Sequence, residues 1–246
     1  MPYIKEICKA GRTIEIRVYY SARNHPKGEK RAEKTKETTE GQKKVNEKKA
    51  ERELRRLLNE NFEDGDYLVR LDFCKMHFPK GSEQMQEYMR NFLKKMRTEF
   101  AKTGEKMKYV YVKEVGPRGG RHVHMVMNKC DTDVLRKCWT YGGIHIDPLN
   151  SNGQYRRIAS YFIKYASRTE ETEGKLIGKR WNPSRGLRRP KVVKKTILRN
   201  RFPKNPKERK GYYLDKDSVV SGISDYTGYE YFTYTLIKGI PPDRDG

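Results

Sequence analysis

The sequence predicts an α+β fold for the middle of the chain, with helices packed on an antiparallel sheet. Apolar residues at strand and helix spacing follow one another in the order β-α-β-β-α-β-α over residues 66–169, and a glycine-rich turn separates two neighbouring strands. This order is typical of a ferredoxin-like, or split β-α-β, arrangement. We therefore divide the chain into a basic N-terminal extension (1–62), an α+β domain (63–170) and a basic C-terminal extension (171–246).

The N-terminal extension contains a predicted strand, a loop and a helix. Residues 13–20 alternate in part as a strand does, and the polar run over 23–39 has little to bury, which predicts a loop. Over 40–61 apolar residues recur at helical spacing, while Lys and Arg fill the other faces. The recurring apolar residues are Ala50, Leu54, Leu57 and Leu58. This segment is predicted to form a basic amphipathic helix.

The α+β domain begins with an apolar strand over 67–73 and a helix over 82–102. Ser82 is the expected N-cap, because a serine hydroxyl can accept a hydrogen bond from a free amide of the first helical turn. One face of this helix is apolar and should pack against the sheet. That face carries Met85, Met89, Phe92, Met96 and Phe100.

Two further strands, over 107–115 and 121–128, are predicted to pair as an antiparallel hairpin. The segment between them, Gly-Pro-Arg-Gly-Gly, has the composition and the length of a hairpin turn. The last predicted elements of the domain are a helix that Asp131 opens and that continues to Trp139, a strand over 143–148 and a helix over 154–168.

Composition restricts the class of function. The chain of 246 residues holds 55 Lys and Arg against 32 Asp and Glu, a net charge of +23, which indicates a polyanionic partner, with nucleic acid as the leading candidate. No Walker phosphate loop and no Rossmann fingerprint is present, so a nucleotide cofactor and a built-in ATPase or helicase are excluded.

The sequence also restricts the cellular location of the protein and the chemistry of its cysteines. Without a long apolar run or an apolar N-terminal segment, we expect no membrane association and a cytoplasmic protein. The four cysteines lie no closer than eight positions apart, so a structural zinc site is not expected and buried free thiols are.

The C-terminal extension is the most basic part of the chain. Residues 175–210 contain fifteen Lys or Arg and one acidic residue, Glu208. Because Trp181 and two prolines interrupt this run and strand-like aromatic residues follow over 212–237, we expect a partly ordered nucleic-acid arm rather than a free tail. Its candidate DNA-binding residues are Arg185, Arg188, Arg189 and Lys191.

The central hairpin carries a candidate metal site. His122 and His124 are separated by one residue, so on a strand both side chains point to the same face. If the turn closes symmetrically, Val115 faces Arg121 and Glu114 lies opposite His122 on that face. Two imidazoles and a carboxylate suit Mg²⁺ or Mn²⁺, and zinc would also accept them, so the ligand set does not identify the metal.

The last helix of the domain has one face of tyrosines and cations. That face carries Arg157, Tyr161, Lys164, Tyr165 and Arg168, whereas the opposite face carries Ala159, Phe162, Ile163 and Ala166. A helix whose tyrosines only cover the edge of the core would show the same pattern. Tyrosines among cations also suit nucleophilic attack on a phosphodiester, because nearby positive charge favours the phenolate.

Taken together, these motifs resemble the HUH endonucleases, and most closely the rolling-circle replication initiators of phages and plasmids. The resemblance covers residues 66–169, and the segment 181–190 is similar to a feature of the phage-type initiators. It implies the HUH nuclease fold, an antiparallel sheet of the type also seen in RNA-recognition modules. Arg168 stands where the phage pattern often has a second lysine, and Leu71-Asp72-Phe73 lacks the threonines usual in the first motif of the family, so it receives no catalytic role.

The resemblance also implies site roles. His122 and His124 match the paired metal ligands and Glu114 matches a third ligand. Tyr161 matches the nucleophile, Lys164 the lysine that positions or neutralises the phosphate, and Tyr165 a second nucleophile. Arg157 would offset charge beside them, and Arg168 is a further candidate for contact with DNA.

The implied function is metal-assisted nicking and rejoining of single-stranded origin DNA through a 5′-phosphotyrosyl intermediate, with a host helicase and a host DNA polymerase as partners. Two alternatives stay open. One is an HUH transposase or relaxase of a mobile element, which would use the same chemistry on another DNA. The other is a protein that binds RNA or single-stranded DNA without catalysis, since a charge of +23 needs no active site.

Overall fold

The computed structural model describes residues 3–21, 39–116, 118–173, 179–198, 201–225 and 227–241. Within these ranges lie two antiparallel five-stranded sheets and four α-helices, which confirms the α+β class. The chain divides into two units: a first unit made of residues 1–60 and 189–246, and a second unit made of residues 61–188. Strands from both termini belong to the first unit.

The elements of the chain are β1 (Tyr3–Ala10), β2 (Thr13–Tyr20), α1 (Glu40–Asn61), β3 (Tyr67–Asp72), α2 (Ser82–Lys102), β4 (Tyr109–Val115), β5 (Arg121–Met127), α3 (Thr132–Cys138), β6 (Ile144–Pro148), α4 (Arg156–Glu173), β7 (Asn182–Pro183), β8 (Val192–Ile197), β9 (Tyr212–Ile223) and β10 (Glu230–Lys238). The predicted order of the α+β domain is confirmed, and α1 and α2 have their predicted bounds. The helix α4 continues past the predicted end at Arg168. The predicted loop over 23–39 lies outside the described residues except for Thr39.

The second unit contains the sheet β6-β3-β5-β4-β7. Alternation along β3 and β5 turns Val69, Leu71, Val123 and Met125 to one face, where they are buried against α2 and α3. The apolar residues of α2 that the sequence identified belong to the same core. The helix α4 packs on β4 from the opposite face, which is also the face of the even-numbered residues of β5.

The predicted N-cap of α2 is wrong. Gly81 occupies the N-cap position, and no side chain caps this helix end. The amide of Ser82 instead donates to Glu173 Oε1, 3.0 Å away at the end of α4, and the Ser82 side chain is buried. A carboxylate from a distant helix, which also complements the positive end of the α2 dipole, therefore takes the place of the serine hydroxyl.

The first unit contains the sheet β8-β1-β2-β10-β9. The strands β9 and β10 confirm the expected strand content of the C-terminal extension, whereas the sequence did not predict β1 or β8. One face of this sheet carries a small core formed by Ile14, Ile16, Phe232, Tyr234 and Leu236. The strand β8 is an edge strand, and Val192 and Val193 lie exposed on it beside Lys194 and Lys195.

Buried ion pairs join α1 to the other face of this sheet. Arg56 Nη2 donates to Glu6 Oε1 and to Glu15 Oε1, each at 2.6 Å, and Arg55 pairs with Glu15 Oε2. Burial opposes ionisation of Glu6, but the hydrogen bond and the charge of Arg56, together with Arg17, outweigh it and lower the Glu6 pKa to about 2. The same competition lowers the Glu15 pKa, with Arg55 and Arg56 as the main opposing charges.

The four cysteines are free. Cys8 and Cys138 are buried and Cys130 is half-buried, as expected for unreactive thiols. Burial raises the pKa of Cys8 and of Cys130 to about 11. Cys74 is exposed in the turn that follows β3, so the expectation of burial is wrong for this residue. None of the helices in the part of the chain that the structure describes is both long and apolar enough to cross a membrane.

We expect acid to destabilise the first unit through Glu6 and Glu15. Because folding lowers both pKa values, the contribution of the two carboxylates is complete above the usual carboxyl pKa of ~4.5 and is lost as the pH falls below it. For Glu6 the loss extends down to about pH 2 and amounts to about 3 kcal/mol. Chemical unfolding followed by circular dichroism at a series of pH values would measure this loss. Glu6→Gln should flatten the acid limb, whereas Glu53→Gln, at an exposed carboxylate of α1, should not. Equal acid limbs in the wild type and Glu6→Gln would contradict the assignment.

Candidate active site

The hairpin β4–β5 has the predicted register. The Gly116 amide donates to the Gly120 carbonyl at 2.7 Å and closes the turn. Val115 pairs with Arg121, and Glu114 pairs with His122. Since Val123 and Met125 are buried in the core, the side chains of Glu114, His122 and His124 share the opposite face of the sheet.

His124 is held by the carboxylate of Glu114. His124 Nε2 lies 2.9 Å from Glu114 Oε2, and Arg168 Nη1 donates to Glu114 Oε1 at 3.0 Å. Burial opposes ionisation of Glu114, but the hydrogen bonds from His124 and Arg168 outweigh it, so the Glu114 pKa is lowered. Glu114 thus remains a carboxylate, and it links the hairpin to α4.

His122 has a different partner, Asp72 at the end of β3. His122 Nδ1 lies 2.7 Å from Asp72 Oδ1, and the other oxygen of this carboxylate lies 3.0 Å from His145 Nε2. Arg70 Nε also pairs with Asp72 Oδ1, at 3.1 Å. Neither Asp72 nor His145 has a role that the sequence predicts. The signal that could have found Asp72 is its register position opposite His122, which is visible only once β3 is known to pair with β5.

The donor atoms of these side chains are of the kinds that bind divalent cations. Neutral imidazole nitrogens and carboxylate oxygens on one sheet face are ligands that Mg²⁺, Mn²⁺ or Zn²⁺ accepts. In the ranges that the structure describes, however, no three His, Cys, Asp or Glu side chains are grouped as a preformed cation site. Instead, His124 and His122 are paired with Glu114 and Asp72, respectively, and the two imidazole centroids are 6.3 Å apart. Holding a cation through all three predicted ligands requires these side chains to reorient.

The two tyrosines of α4 differ in their contacts and in their exposure. The Tyr165 ring stacks on His124, with centroids 4.1 Å apart and planes 13° apart. Tyr161 lies one turn earlier, with its ring centroid 6.4 Å from that of Tyr165, and it is 56% exposed. Burial and the Glu114 carboxylate raise the Tyr165 pKa against the opposing charge of Arg168. The sequence-based expectation that nearby cations favour the phenolate is therefore wrong for Tyr165, whose pKa is raised.

The predicted division of α4 into two faces is confirmed. Ala159, Phe162, Ile163 and Ala166 are buried, and Arg157, Tyr161 and Lys164 are exposed. Thr169 fixes the helix to β4, because its hydroxyl accepts a hydrogen bond from the Val115 amide at 2.9 Å and lies 3.0 Å from the Lys113 carbonyl. This contact sets how far α4 is shifted along β4, and with it which turn of the helix faces His124.

A groove of about 630 Å³ runs over this site. The residues that line it are Arg70, Glu114, Gly116, Arg118, Gly120, His122, His124, Tyr165 and Arg168. Three arginines thus accompany the acid and imidazole groups. Such a groove is open, and the guanidinium groups along it suit a phosphate-bearing ligand.

The predicted DNA-binding residues of the C-terminal extension lie outside the lining of this groove. Arg185, Arg188, Arg189 and Lys191 are exposed. Arg185 and Arg188 belong to the second unit, whereas Arg189 and Lys191 belong to the first. The Arg188 amide donates to Asn61 Oδ1 at 2.8 Å, which anchors the backbone of this segment at the end of α1.

Replacing Thr169 with Val should lower the free energy of unfolding by about 1–3 kcal/mol, because the buried Val115 amide would lose its acceptor. Thr169→Ser keeps the hydroxyl and should recover most of this loss. Urea unfolding of both variants beside the wild type provides the measurement. Equal stability of Thr169→Val and Thr169→Ser would show that the hydroxyl does not dock the helix.

The sequence of the second unit is similar to that of a known family. Residues 66–170 match the family model described as replication-associated protein ORF2/G2P. No significant match to the chain occurs among curated proteins or among solved structures. The matched segment includes β3 and most of α4, and therefore every side chain that lines the groove. The similarity is therefore to replication-associated proteins, and it is confined to residues 66–170 of the 246-residue chain.

Proposed function

We propose that this chain is a rolling-circle replication initiator that nicks and rejoins single-stranded DNA at an origin through a tyrosine nucleophile. The observation that carries the proposal is the position of α4, which lays Tyr165 against His124 and leaves Tyr161 exposed one turn away. The match of residues 66–170 to replication-associated proteins supports it independently.

Glu114, His122 and His124 would hold a divalent cation, Mg²⁺ or Mn²⁺. When bound, such a cation polarises the scissile phosphate and offsets its developing charge. Asp72 would fix the ring of His122 through the Nδ1 contact of 2.7 Å, so that the other ring nitrogen faces the site. Arg168 would hold the Glu114 carboxylate in place in the same way.

In the proposed reaction, Tyr161 Oη attacks the phosphorus atom and gives up its proton. The bond from phosphorus to the 3′ oxygen breaks, and that oxygen leaves as a 3′-hydroxyl after taking up a proton. The 5′ phosphate stays on the tyrosine, so one phosphoester bond replaces another and no ATP is needed. Attack of a 3′-hydroxyl on the phosphotyrosine reverses the step and rejoins the strand.

Tyr165 would act as the second nucleophile, one helical turn after Tyr161. Lys164 and Arg157 are exposed on the same helix face as Tyr161 and would offset charge on the transferred phosphate. Arg168 and the basic segment with Arg185, Arg188, Arg189 and Lys191 would hold backbone phosphates of the DNA. A host polymerase would extend the free 3′ end, and a host helicase would open the duplex ahead of it.

Tyr161→Phe should abolish the covalent protein–DNA adduct, since phenylalanine lacks the attacking oxygen. The assay incubates the protein with labelled origin-like single strands and Mn²⁺ and then detects the adduct by denaturing gel electrophoresis and mass-spectrometric mapping. Tyr88→Phe, at a half-buried tyrosine of α2, is the matched control and should leave the adduct intact.

The outcomes separate the alternatives. A full yield of adduct from Tyr161→Phe with the nucleotide mapped to Tyr165 would reverse the order of the two tyrosines. No adduct from the wild type with any divalent cation would contradict the nuclease and favour a binding protein without catalysis. Cleavage at the ends of a mobile element, in preference to a replication origin, would identify the transposase or relaxase alternative.

Asp72→Asn should weaken Mn²⁺ binding by roughly 10–100-fold, because a neutral amide holds the His122 ring less firmly. His124→Ala should remove metal-dependent cleavage while DNA binding persists. Isothermal titration with Mn²⁺ and filter binding with DNA supply the two readouts. Asp147→Asn, at an exposed carboxylate of β6, serves as the control. Equal Mn²⁺ affinity in Asp72→Asn and Asp147→Asn would exclude a positioning role for Asp72.

A further inference from the structure

The first unit contains a cluster of arginines whose charges are only partly neutralised. Four guanidinium groups from α1 and β2 gather with two glutamates from β1 and β2 on one face of the sheet. We call this group the arginine cluster. It comprises Arg17, Arg52, Arg55 and Arg56 with Glu6 and Glu15.

Every carboxylate oxygen of the arginine cluster already has a partner. Glu6 Oε1 accepts from Arg56 at 2.6 Å and from Arg17 at 3.4 Å, and Glu6 Oε2 accepts from the Tyr19 hydroxyl at 3.0 Å. Glu15 Oε1 accepts from Arg56 at 2.6 Å, and Glu15 Oε2 accepts from Arg55. The two glutamates are therefore paired with the other three arginines and with Tyr19.

Arg52 differs from the other three arginines of the arginine cluster in its ion pairing. Among the residues that the structure describes, no carboxylate lies within ion-pair distance of its guanidinium group. Burial, and the like charges of Arg17 and Arg56, lower the Arg52 pKa to about 10. The folded state thus holds a half-buried positive charge in surroundings that disfavour it, which is a cost that an anion would relieve.

The surroundings of Arg52 are basic and partly open to solvent. Lys48, one helical turn earlier on the same face of α1, is exposed. On the sheet, the Arg17 guanidinium lies over the Tyr19 ring, 4.8 Å from its centroid, and Lys194 Nζ approaches Glu6 Oε2 at 3.7 Å. Positive charge therefore extends from the helix onto two strands.

We propose that Arg52, with Lys48 and Arg17, binds a backbone phosphate of DNA. A guanidinium group presents paired N–H donors that match the oxygens of a phosphate, and the ligand supplies the negative charge that this cluster lacks. The assignment of the phosphate to DNA rests on the proposed function. None of these residues lies in the segment 66–170 or lines the groove of the candidate active site.

The main experiment measures binding of fluorescein-labelled single-stranded and duplex DNA to the full chain in EDTA by fluorescence anisotropy. Arg52→Gln should weaken binding about tenfold. It should also reduce the slope of log K against log salt concentration by the amount for one phosphate contact, about 0.9 on duplex DNA and about 0.7 on single strands. Lys9→Gln is the matched control, because Lys9 is exposed on the opposite face of the same sheet. Equal affinity and slope in Arg52→Gln and Lys9→Gln would overturn the proposal.

A stability readout separates binding from a structural role. Because Arg52 carries an unfavourable charge, Arg52→Gln should leave the thermal unfolding temperature unchanged or raise it. A lower unfolding temperature with undiminished DNA affinity would overturn the proposal. If Arg52→Gln fails to fold, Lys48→Gln replaces it, since an exposed lysine does not support the fold. Lys48→Gln should then weaken binding several-fold, and unchanged affinity would overturn the proposal.

Inorganic phosphate tests the source of the anion. If millimolar phosphate raises the unfolding temperature of the wild type but not of Arg52→Gln, and both bind DNA equally, the site holds free phosphate and the DNA assignment is wrong. Because binding is measured without a divalent cation, these results do not depend on cleavage. A wild type that forms no phosphotyrosyl adduct would refute the proposed function alone.

Discussion

The register of the β4–β5 hairpin is the constraint on which the candidate site depends. Side chains alternate along a strand, so a slip of one residue would turn His122 and His124 into the core and expose Val123 and Met125. Burial of the apolar residues on one face thus fixes the orientation of the polar residues on the other face. The Gly116–Gly120 hydrogen bond closes the turn at the length that this register requires. The pairing of β4 with β5 therefore determines both the packing of the core and the arrangement of the candidate site.

Local pattern was sufficient to predict the parts of the site that lie close in sequence. The two histidines, the glutamate opposite them and the two faces of α4 all follow from spacing on a strand, a short hairpin or a helix. Asp72 and His145 could not be found in this way, because their contacts depend on the pairing of β3 with β5 and β6. The N-cap of α2 failed for the same reason, since Glu173 lies far along the chain from Ser82.

The first unit shows the limit of composition as a guide. Sequence alone predicts a basic amphipathic helix over 40–61 and treats both terminal segments as extensions. In the structure β1 and β2 from the N-terminal side join β8, β9 and β10 from the C-terminal side in one sheet, and α1 turns Arg55 and Arg56 toward buried carboxylates. Charge count predicted a nucleic-acid partner but could not show which cations are neutralised within the fold. Arg52 is distinguished only by what surrounds it.

The edge strand β8 has a consequence for how copies of this protein behave in concentrated solution. Among the described strands, none pairs with the outer edge of β8. The backbone amides and carbonyls of that edge, beside the exposed Val192 and Val193, form a template onto which another strand could add. Lys194 and Lys195 set like charges against each other whenever two such edges approach. Acetylation of these lysines, or coating by a polyanion in excess, removes that repulsion and turns the strand into a point of self-association.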